Sequence, residues 1–344
     1  MVFNKFIISR TDGIGDVILA LPVAGALKEI YPDCKIVFLG RTYTQDIIKS
    51  CKHIYQFVSW DDLLQKTTTE KIKIIKDINA DVIIHVFPEK AISKLAKNAG
   101  IPFRIGTSSR AYHWLTCNHL VKLHRKNSPY HESQLNLKLL QPLGGKAIYD
   151  ITEIPGFYGF SKIPSLDNKF AELPDRNKFN LILHPKSKGS AREWGLNNFK
   201  KLIEILPANR FKLFVTGTEE EGKAIRPALI APFPEVVDLT GRLTIVQLIS
   251  FIANIDGILA ASTGPLHIAA ALNKYVIGLY APMRPIHPGR WAPLGLNASY
   301  LVKEKKCNNC RNKKRCECIE SIAPEEVAEK LMKHVSLSAS AKIS

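Results

Sequence analysis

Along this chain, short runs of aliphatic and β-branched residues alternate with longer stretches in which apolar positions recur every three or four residues. That alternation is the pattern of a parallel sheet whose crossovers are helices. In the first half it predicts strands over Phe6–Ser9, Lys35–Leu39, Tyr55–Val58 and Asp81–Phe87, with helices over Ile14–Tyr31, Asp61–Ile78 and His131–Gln141. A polar, proline-bearing stretch from about Gly156 to Asn177 breaks the pattern, as a linker does. The alternation then restarts, with strands over Phe179–His184, Phe211–Thr216, Glu235–Leu239, Gly257–Ala261 and Tyr275–Tyr280 and helices beginning near Asn197, Glu219, Thr244 and Gly264. A final helix is expected over Pro324–Val335, with proline and two glutamates in its first turn and a frayed tail beyond.

Two doubly wound α/β domains follow from this, over 1–160 and 178–344 with a linker at 161–177. The length of 344 residues supports the division, because one hydrophobic core rarely organises so many. With 46% hydrophobic and 23% charged residues, the chain has the composition of an ordinary globular protein, which excludes disordered and fibrous classes. Lys and Arg number 48 against 31 Asp and Glu, and the net charge of +17 favours anionic partners. The sequence enters its first strand directly, with no extended apolar leader and no apolar run of spanning length. A cytoplasmic location is expected, with at most peripheral contact with the inner membrane. No nucleic-acid partner is expected, since aromatic interleaving and recognised binding patterns are missing.

Four turns between strand and helix are candidates for chemistry. The first is Arg10-Thr11-Asp12-Gly13-Ile14-Gly15-Asp16. Gly13 and Gly15 would allow a sharp turn and close approach of a substrate, and the following helix would offer free N–H groups to an anion. A dinucleotide fingerprint would need glycine at position 18, where Ile18 stands, so nicotinamide and flavin cofactors are disfavoured. Asp16 is a candidate general base. It could equally favour the helix dipole, as Asp12 could. Arg10, Gly13 and Gly15 are candidate acceptor contacts.

The second turn, His184 to Trp194, places Ser187, Lys188, Gly189 and Arg192 after a strand, a set suited to a diphosphate. Its other reading is a solvated basic loop with Trp194 as a packing anchor. The third, Ala261-Ser262-Thr263-Gly264-Pro265-Leu266-His267, sets a helix N-terminus where Ser262, Thr263 and Gly264 can face a phosphate and His267 would point from the first turn toward the cleft. The fourth comprises Thr216-Gly217-Thr218-Glu219 with Glu220, and Leu239-Thr240-Gly241-Arg242, which could hold a base and ribose. Thr-Gly turns with acidic first helical turns are common for structural reasons too.

In this order the motifs resemble glycosyltransferase family 9, the ADP-heptose:lipopolysaccharide heptosyltransferases, over residues 1 to about 330. The most specific matches are Asp12-Gly13-Ile14-Gly15-Asp16-Val17 and Ser262-Thr263-Gly264-Pro265-Leu266-His267-Ile268-Ala269-Ala270. The resemblance implies a GT-B fold, two Rossmann-like doubly wound domains facing a central cleft, with acceptor bound by the first and the nucleotide-sugar donor by the second. It implies Asp16 as catalytic base and Arg192 as the basic diphosphate contact. Thr263 and Gly264 correspond to its phosphate-binding turn, and Glu219 or Glu220 to its ribose contact. Ser262 stands where well-known members carry Asp, and Arg192 where they carry Lys.

The function expected is an inverting, metal-independent transfer of heptose from ADP-heptose to a lipopolysaccharide inner-core acceptor, with no cofactor beyond the donor. The chain has no Asp-x-Asp triplet of the kind that metal-dependent transferases use. Alternatives are another nucleotide sugar, a non-catalytic nucleotide-binding protein, or a sugar-nucleotide epimerase of the same architecture. Cys307, Cys310, Cys316 and Cys318 form C-x2-C-x5-C-x-C, weak candidates for a structural zinc site. The scattered Cys34, Cys51 and Cys117 read as small core residues.

Overall fold

The structure, a computed structural model, describes residues 3–126, 128–283, 286–303 and 316–340. It divides into two compact units, Met1–Ile163 and Pro164–Ser344. The first holds six parallel strands: β1 (Lys5–Ser9), β2 (Lys35–Gly40), β3 (Gln56–Ser59), β4 (Val82–His85), β5 (Phe103–Thr107) and β6 (His119–Val121), in the order β3-β2-β1-β4-β5-β6. The second holds β7 (Phe179–His184), β8 (Phe211–Val215), β9 (Val237–Asp238), β10 (Gly257–Ala261), β11 (Tyr275–Tyr280) and β12 (Ala298–Val302), in the order β12-β11-β10-β7-β8-β9. Both sheets therefore share one winding, 3-2-1-4-5-6, the Rossmann order.

That topology decides where ligands can bind. The winding reverses between β1 and β4 in the first sheet and between β7 and β10 in the second. Loops leaving the carboxyl ends of those strand pairs run apart, which opens a crevice at each reversal. The central strands are continuous apolar runs because helices cover both faces. Phe6, Ile7 and Ile8 of β1 and Leu181, Ile182 and Leu183 of β7 are fully buried.

Three strands were not foreseen from the sequence: β5, β6 and β12. Each departs from an uninterrupted apolar run. β5 contains Arg104, whose guanidinium donates to the carbonyl oxygens of Ile101, Pro102 and Thr116. β6 is a three-residue edge strand, and β12 is an edge strand that is only partly buried.

Two expected helices are each broken. The segment 14–31 forms Ile14–Ile18 and Pro22–Ile30, since Pro22 has no N–H to offer the carbonyl four residues back. Around this break Val23 N bonds to Ala20 O at 3.0 Å, an i to i+3 contact that leaves Leu19 O open to other donors. The segment 61–78 forms Trp60–Leu64 and Thr68–Asp77, because Thr67 caps the second helix with Glu70 in a capping box. The last helix runs from Pro324 to Ser340 and continues past the expected end.

The polar stretch after the first sheet is fastened at both ends. Lys52 N donates to Gly159 O at 2.7 Å, and Ser161 N and Lys162 N both donate to Ser50 O. A Cβ on Gly25 would come 2.1 Å from Phe157 O, so helix Pro22–Ile30 packs directly on the backbone of Ile154–Phe157. On the other side, Ser250 Oγ donates to Pro164 O and Gln247 Nε2 to Asp167 Oδ2. The change of unit falls between these two sets of bonds.

Candidate active site

In the first unit the crevice at the β1/β4 reversal is organised by Arg10, which is 2% exposed and follows the last residue of β1. A buried guanidinium needs several acceptors to offset lost hydration. Arg10 Nε donates to Asp12 Oδ1 at 2.7 Å, Nη2 to Asp12 Oδ2 at 2.9 Å and to Asp16 Oδ1 at 2.6 Å, and Nη1 to Glu132 Oε1 and Asn136 Oδ1. Glu132 is itself 1% exposed and shared, because Arg125 Nε reaches the same oxygen at 3.1 Å. Arg125 also donates to Asn136 Oδ1 and to Val86 O just beyond β4.

The motif supplied Arg10, Asp12 and Asp16, whereas Glu132, Asn136 and Arg125 lie more than a hundred residues away and carried no signal of their own. What brings them in is the break at Pro22. The open Leu19 carbonyl accepts Ser133 Oγ at 2.8 Å and Asn136 Nδ2 at 3.0 Å, so helix Glu132–Leu137 docks on the end of the first helical turns. Its first residue then stands against Arg10.

The electrostatics of Asp16 follow from this crowding. Burial of most of the carboxyl group raises its pKa, Arg10 lowers it, and the negative charges of Asp12 and Glu132 raise it again, to about 6. Burial outweighs the ion pair because Arg10 is divided among three carboxylates. The side chain keeps 30% of its surface open. Gly13 has φ −68° and ψ 163°, a conformation open to any residue, so the turn itself does not require glycine as expected. A Cβ there would lie 3.2 Å from Asp16 Oδ2, and its absence leaves that oxygen room. Gly15 lies inside helix Ile14–Ile18, with its carbonyl bonded to Leu19 N.

In the second unit the β7/β10 reversal brings together two of the predicted loops. After β7, Ser187 and Ser190 close a tight turn, with Ser190 N donating to Ser187 O at 3.0 Å. Its middle residues Lys188 (φ +48°) and Gly189 (φ +81°) are both left-handed, which carries Lys188 to an exposed tip. Lys186 is held at 2.8 Å by Glu193, which also accepts from Ser187 N. Arg192 is partly buried beside it. Trp194 is fully buried and donates to Ile322 O, the packing anchor that the loop's structural reading expected.

After β10, Thr263 precedes helix Gly264–Ala271 in extended conformation but makes no capping bond. Its Oγ1 is buried without a hydrogen-bond partner, beside the free N–H groups of a helix start. Ser262 lies beside the Tyr280 hydroxyl, which donates to Trp291 O. His267 is enclosed, on a helix buried on nearly every face from Leu266 to Ala271.

The ribose candidates are already engaged. Glu219 forms a two-point pair with Arg226 at 2.6 and 2.7 Å, and Arg226 also binds Asp238 and Thr240 O. Gly241, at φ +71°, touches this pair, since a Cβ there would meet Glu219 Oε2 at 2.3 Å. Thr218 caps its helix with Glu221, Glu220 pairs with Lys223 in solvent, and Arg242 donates to Asp238 O. Arg226 and Asp238 had no motif to mark them.

Cys34, Cys51 and Cys117 are buried in the first unit. Cys316 and Cys318 are buried in the second unit's core with Ile319 and Val327, while Cys307 and Cys310 lie outside the described residues. Among the described residues no group of three or more His, Cys, Asp or Glu stands where it could hold a metal, and no helix is long and apolar enough to cross a membrane.

The chain matches the family model of glycosyltransferase family 9 (heptosyltransferase) over residues 72–319. It is 22% identical over 291 residues to the lipopolysaccharide core heptosyltransferase OpsX of Haemophilus influenzae, covering 81% of this chain and 79% of that one. The crystal structure of a glycosyl transferase family 9 protein from Veillonella parvula superposes with a TM-score of 0.76 at 16% identity, covering 98% of this chain and 99% of that chain. The E. coli heptosyltransferase WaaC with ADP gives 0.72 at 15% identity, covering 96% and 99%. The two-domain α/β fold is therefore the GT-B fold, and the chain belongs to glycosyltransferase family 9, the heptosyltransferase family.

Proposed function

We propose that this glycosyltransferase moves heptose from ADP-heptose onto the inner core of a lipopolysaccharide in one inverting displacement, with Asp16 as general base. The observation that carries the reading is the Asp16 carboxylate: partly open, oriented by Arg10 at 2.6 Å, and raised to about 6. A base with that pKa is ionised at neutral pH yet takes up a proton more readily than an ordinary aspartate. Its Oδ1 is bound by Arg10, which leaves Oδ2, the oxygen beside Gly13, to receive the proton of the acceptor hydroxyl. The acceptor oxygen bonds to the anomeric carbon as the bond from that carbon to the diphosphate oxygen breaks. The diphosphate leaves with the electron pair.

Negative charge grows on that leaving group. Arg192, Lys188, the Thr263 hydroxyl and the N–H groups at the start of helix Gly264–Ala271 are suited to stabilise it, and fixed donors of this kind contribute about 3 kcal/mol each. Ser187 and Ser262 flank the same position, and Glu219, Glu220, Thr218 and Arg242 form the candidate ribose region. No divalent cation is required by these donors. The net charge of +17 suits an acceptor rich in phosphate and carboxylate. The names of the relatives point to the same partners: OpsX is called a lipopolysaccharide core heptosyltransferase, and WaaC was crystallised with ADP.

The test is turnover of ADP-heptose with heptose-deficient lipopolysaccharide, followed by ADP release and acceptor mass. Transfer by the wild type, its persistence in EDTA and its near-complete loss in Asp16→Ala are expected. Turnover of a different nucleotide sugar alone would keep the base and replace the donor, a second reading favoured by Ser262 in place of the family's usual aspartate. Strict dependence on Mg²⁺ or Mn²⁺ would overturn the mechanism.

A further inference from the structure

From Lys90 to His131 the chain contains no Asp or Glu, against five Lys and three Arg. This acid-free stretch builds one side of the first unit: helix Lys90–Asn98, strand β5, helix Ala111–Thr116 and the edge strand β6. The helices lie side by side in the same direction. Tyr112 OH donates to Pro88 O at one end and Lys97 Nζ to Leu115 O at the other. On the first helix, Lys90, Lys94 and Lys97 are all exposed while Ile92, Leu95 and Ala96 are buried. Their spacing of four and then three residues puts the three cations on one face. On the second helix, Trp114 and Leu115 are 64% and 75% exposed, although both are large and apolar. Trp114 is not loose: its Nε1 donates to Ser108 O at 3.0 Å, which fixes the indole outward. Arg110 and Lys122 are exposed on the same acid-free segment.

We infer that this face docks on an anionic lipid bilayer, with Trp114 and Leu115 entering the interface and the row Lys90, Lys94 and Lys97 lying over the head groups. Two features select a lipid surface over other anions. An exposed Trp-Leu pair has no use at a purely ionic contact, whereas an indole and an aliphatic side chain both gain from the boundary between head groups and acyl chains. The net positive charge of the face, with Glu89 at the start of its first helix outnumbered by the cations, matches the negative surface of such a membrane, and each cation near it raises affinity roughly five-fold. The inference extends the function proposed above, whose acceptor is a glycolipid, but the geometry of the face stands without it.

The test is sedimentation of the full chain with vesicles of phosphatidylglycerol and phosphatidylcholine, compared with vesicles of phosphatidylcholine alone. Binding only to the anionic vesicles, weakened by salt, is expected. Lys90→Ser/Lys94→Ser/Lys97→Ser should weaken it on the order of a hundred-fold, and Trp114→Ser/Leu115→Ser about ten-fold or more. Both variants alter exposed positions only, so thermal unfolding should match the wild type. Transfer to detergent-dispersed acceptor should be unchanged in both, while transfer to vesicle-embedded acceptor falls. Absence of wild-type binding, equal binding to neutral vesicles, or unchanged binding in both variants overturns the proposal. So does a wild-type dimer in sedimentation velocity that Trp114→Ser/Leu115→Ser converts to monomer, since a second copy then covers the face. Failure of all nucleotide sugars to react would refute the proposed function and leave the vesicle result standing.

Discussion

Arg10 Nη1 and Arg125 Nε converge on a single oxygen, Oε1 of Glu132, at 3.2 and 3.1 Å. This shared carboxylate, 1% exposed, ties the end of β1 to a helix 122 residues further along the chain. It also sets how much of Arg10 remains for Asp16.

That competition gives Asp16 a testable pH signature. Its folded pKa lies above its ordinary value of 3.8, at about 6, so the folded state binds its proton more tightly than the unfolded chain does. The contribution of Asp16 to stability is therefore most favourable below about pH 4 and declines as pH rises toward 6. Catalysis runs the opposite way, and kcat/KM should climb through an apparent pKa near 6 as the base ionises. Glu132→Gln should move that limb to lower pH, since it removes a negative neighbour and returns Arg10 to Asp16, and should cost about 3 kcal/mol in urea unfolding by leaving buried cations underpaired. An unmoved limb in the variant would refute the coupling.

Gly13→Ala separates geometry from stability. The backbone angles at position 13 are ordinary, so the substitution should change stability by less than about 1 kcal/mol. The new methyl would sit 3.2 Å from Asp16 Oδ2, the oxygen assigned to take the proton. A fall in kcat of about ten-fold with donor KM unchanged is expected. Steady-state kinetics beside a melting curve decide it, and full activity would free Oδ2 from that role.

Thr263→Val examines the second unit. In the folded chain Thr263 Oγ1 is buried without a partner, so replacing the hydroxyl by a methyl should leave stability equal or raise it by about 1 kcal/mol. If that hydroxyl serves the donor's diphosphate, donor KM should rise by about ten-fold while the protein melts no lower. An unchanged KM would remove Thr263 from the donor contacts.

The sequence by itself determined the two Rossmann-like halves, because central parallel strands are buried on both faces and must be nearly continuous apolar runs, as Phe6 to Ile8 and Leu181 to Leu183 are. It also marked Asp16, Arg192 and Thr263, since they lie in strand-to-helix turns of distinctive local composition. It missed β5, β6 and β12, whose short or edge positions tolerate Arg104, His119 and Ser299, and it joined helices that Pro22 and Thr67 separate. Only tertiary structure decided that His267 is enclosed, that Glu219 is clamped by Arg226, and that Glu132 crowds Asp16. Those outcomes depend on partners far apart in the chain. A pattern of neighbours can specify an element and its turn, but burial and charge are properties of what the fold brings against them.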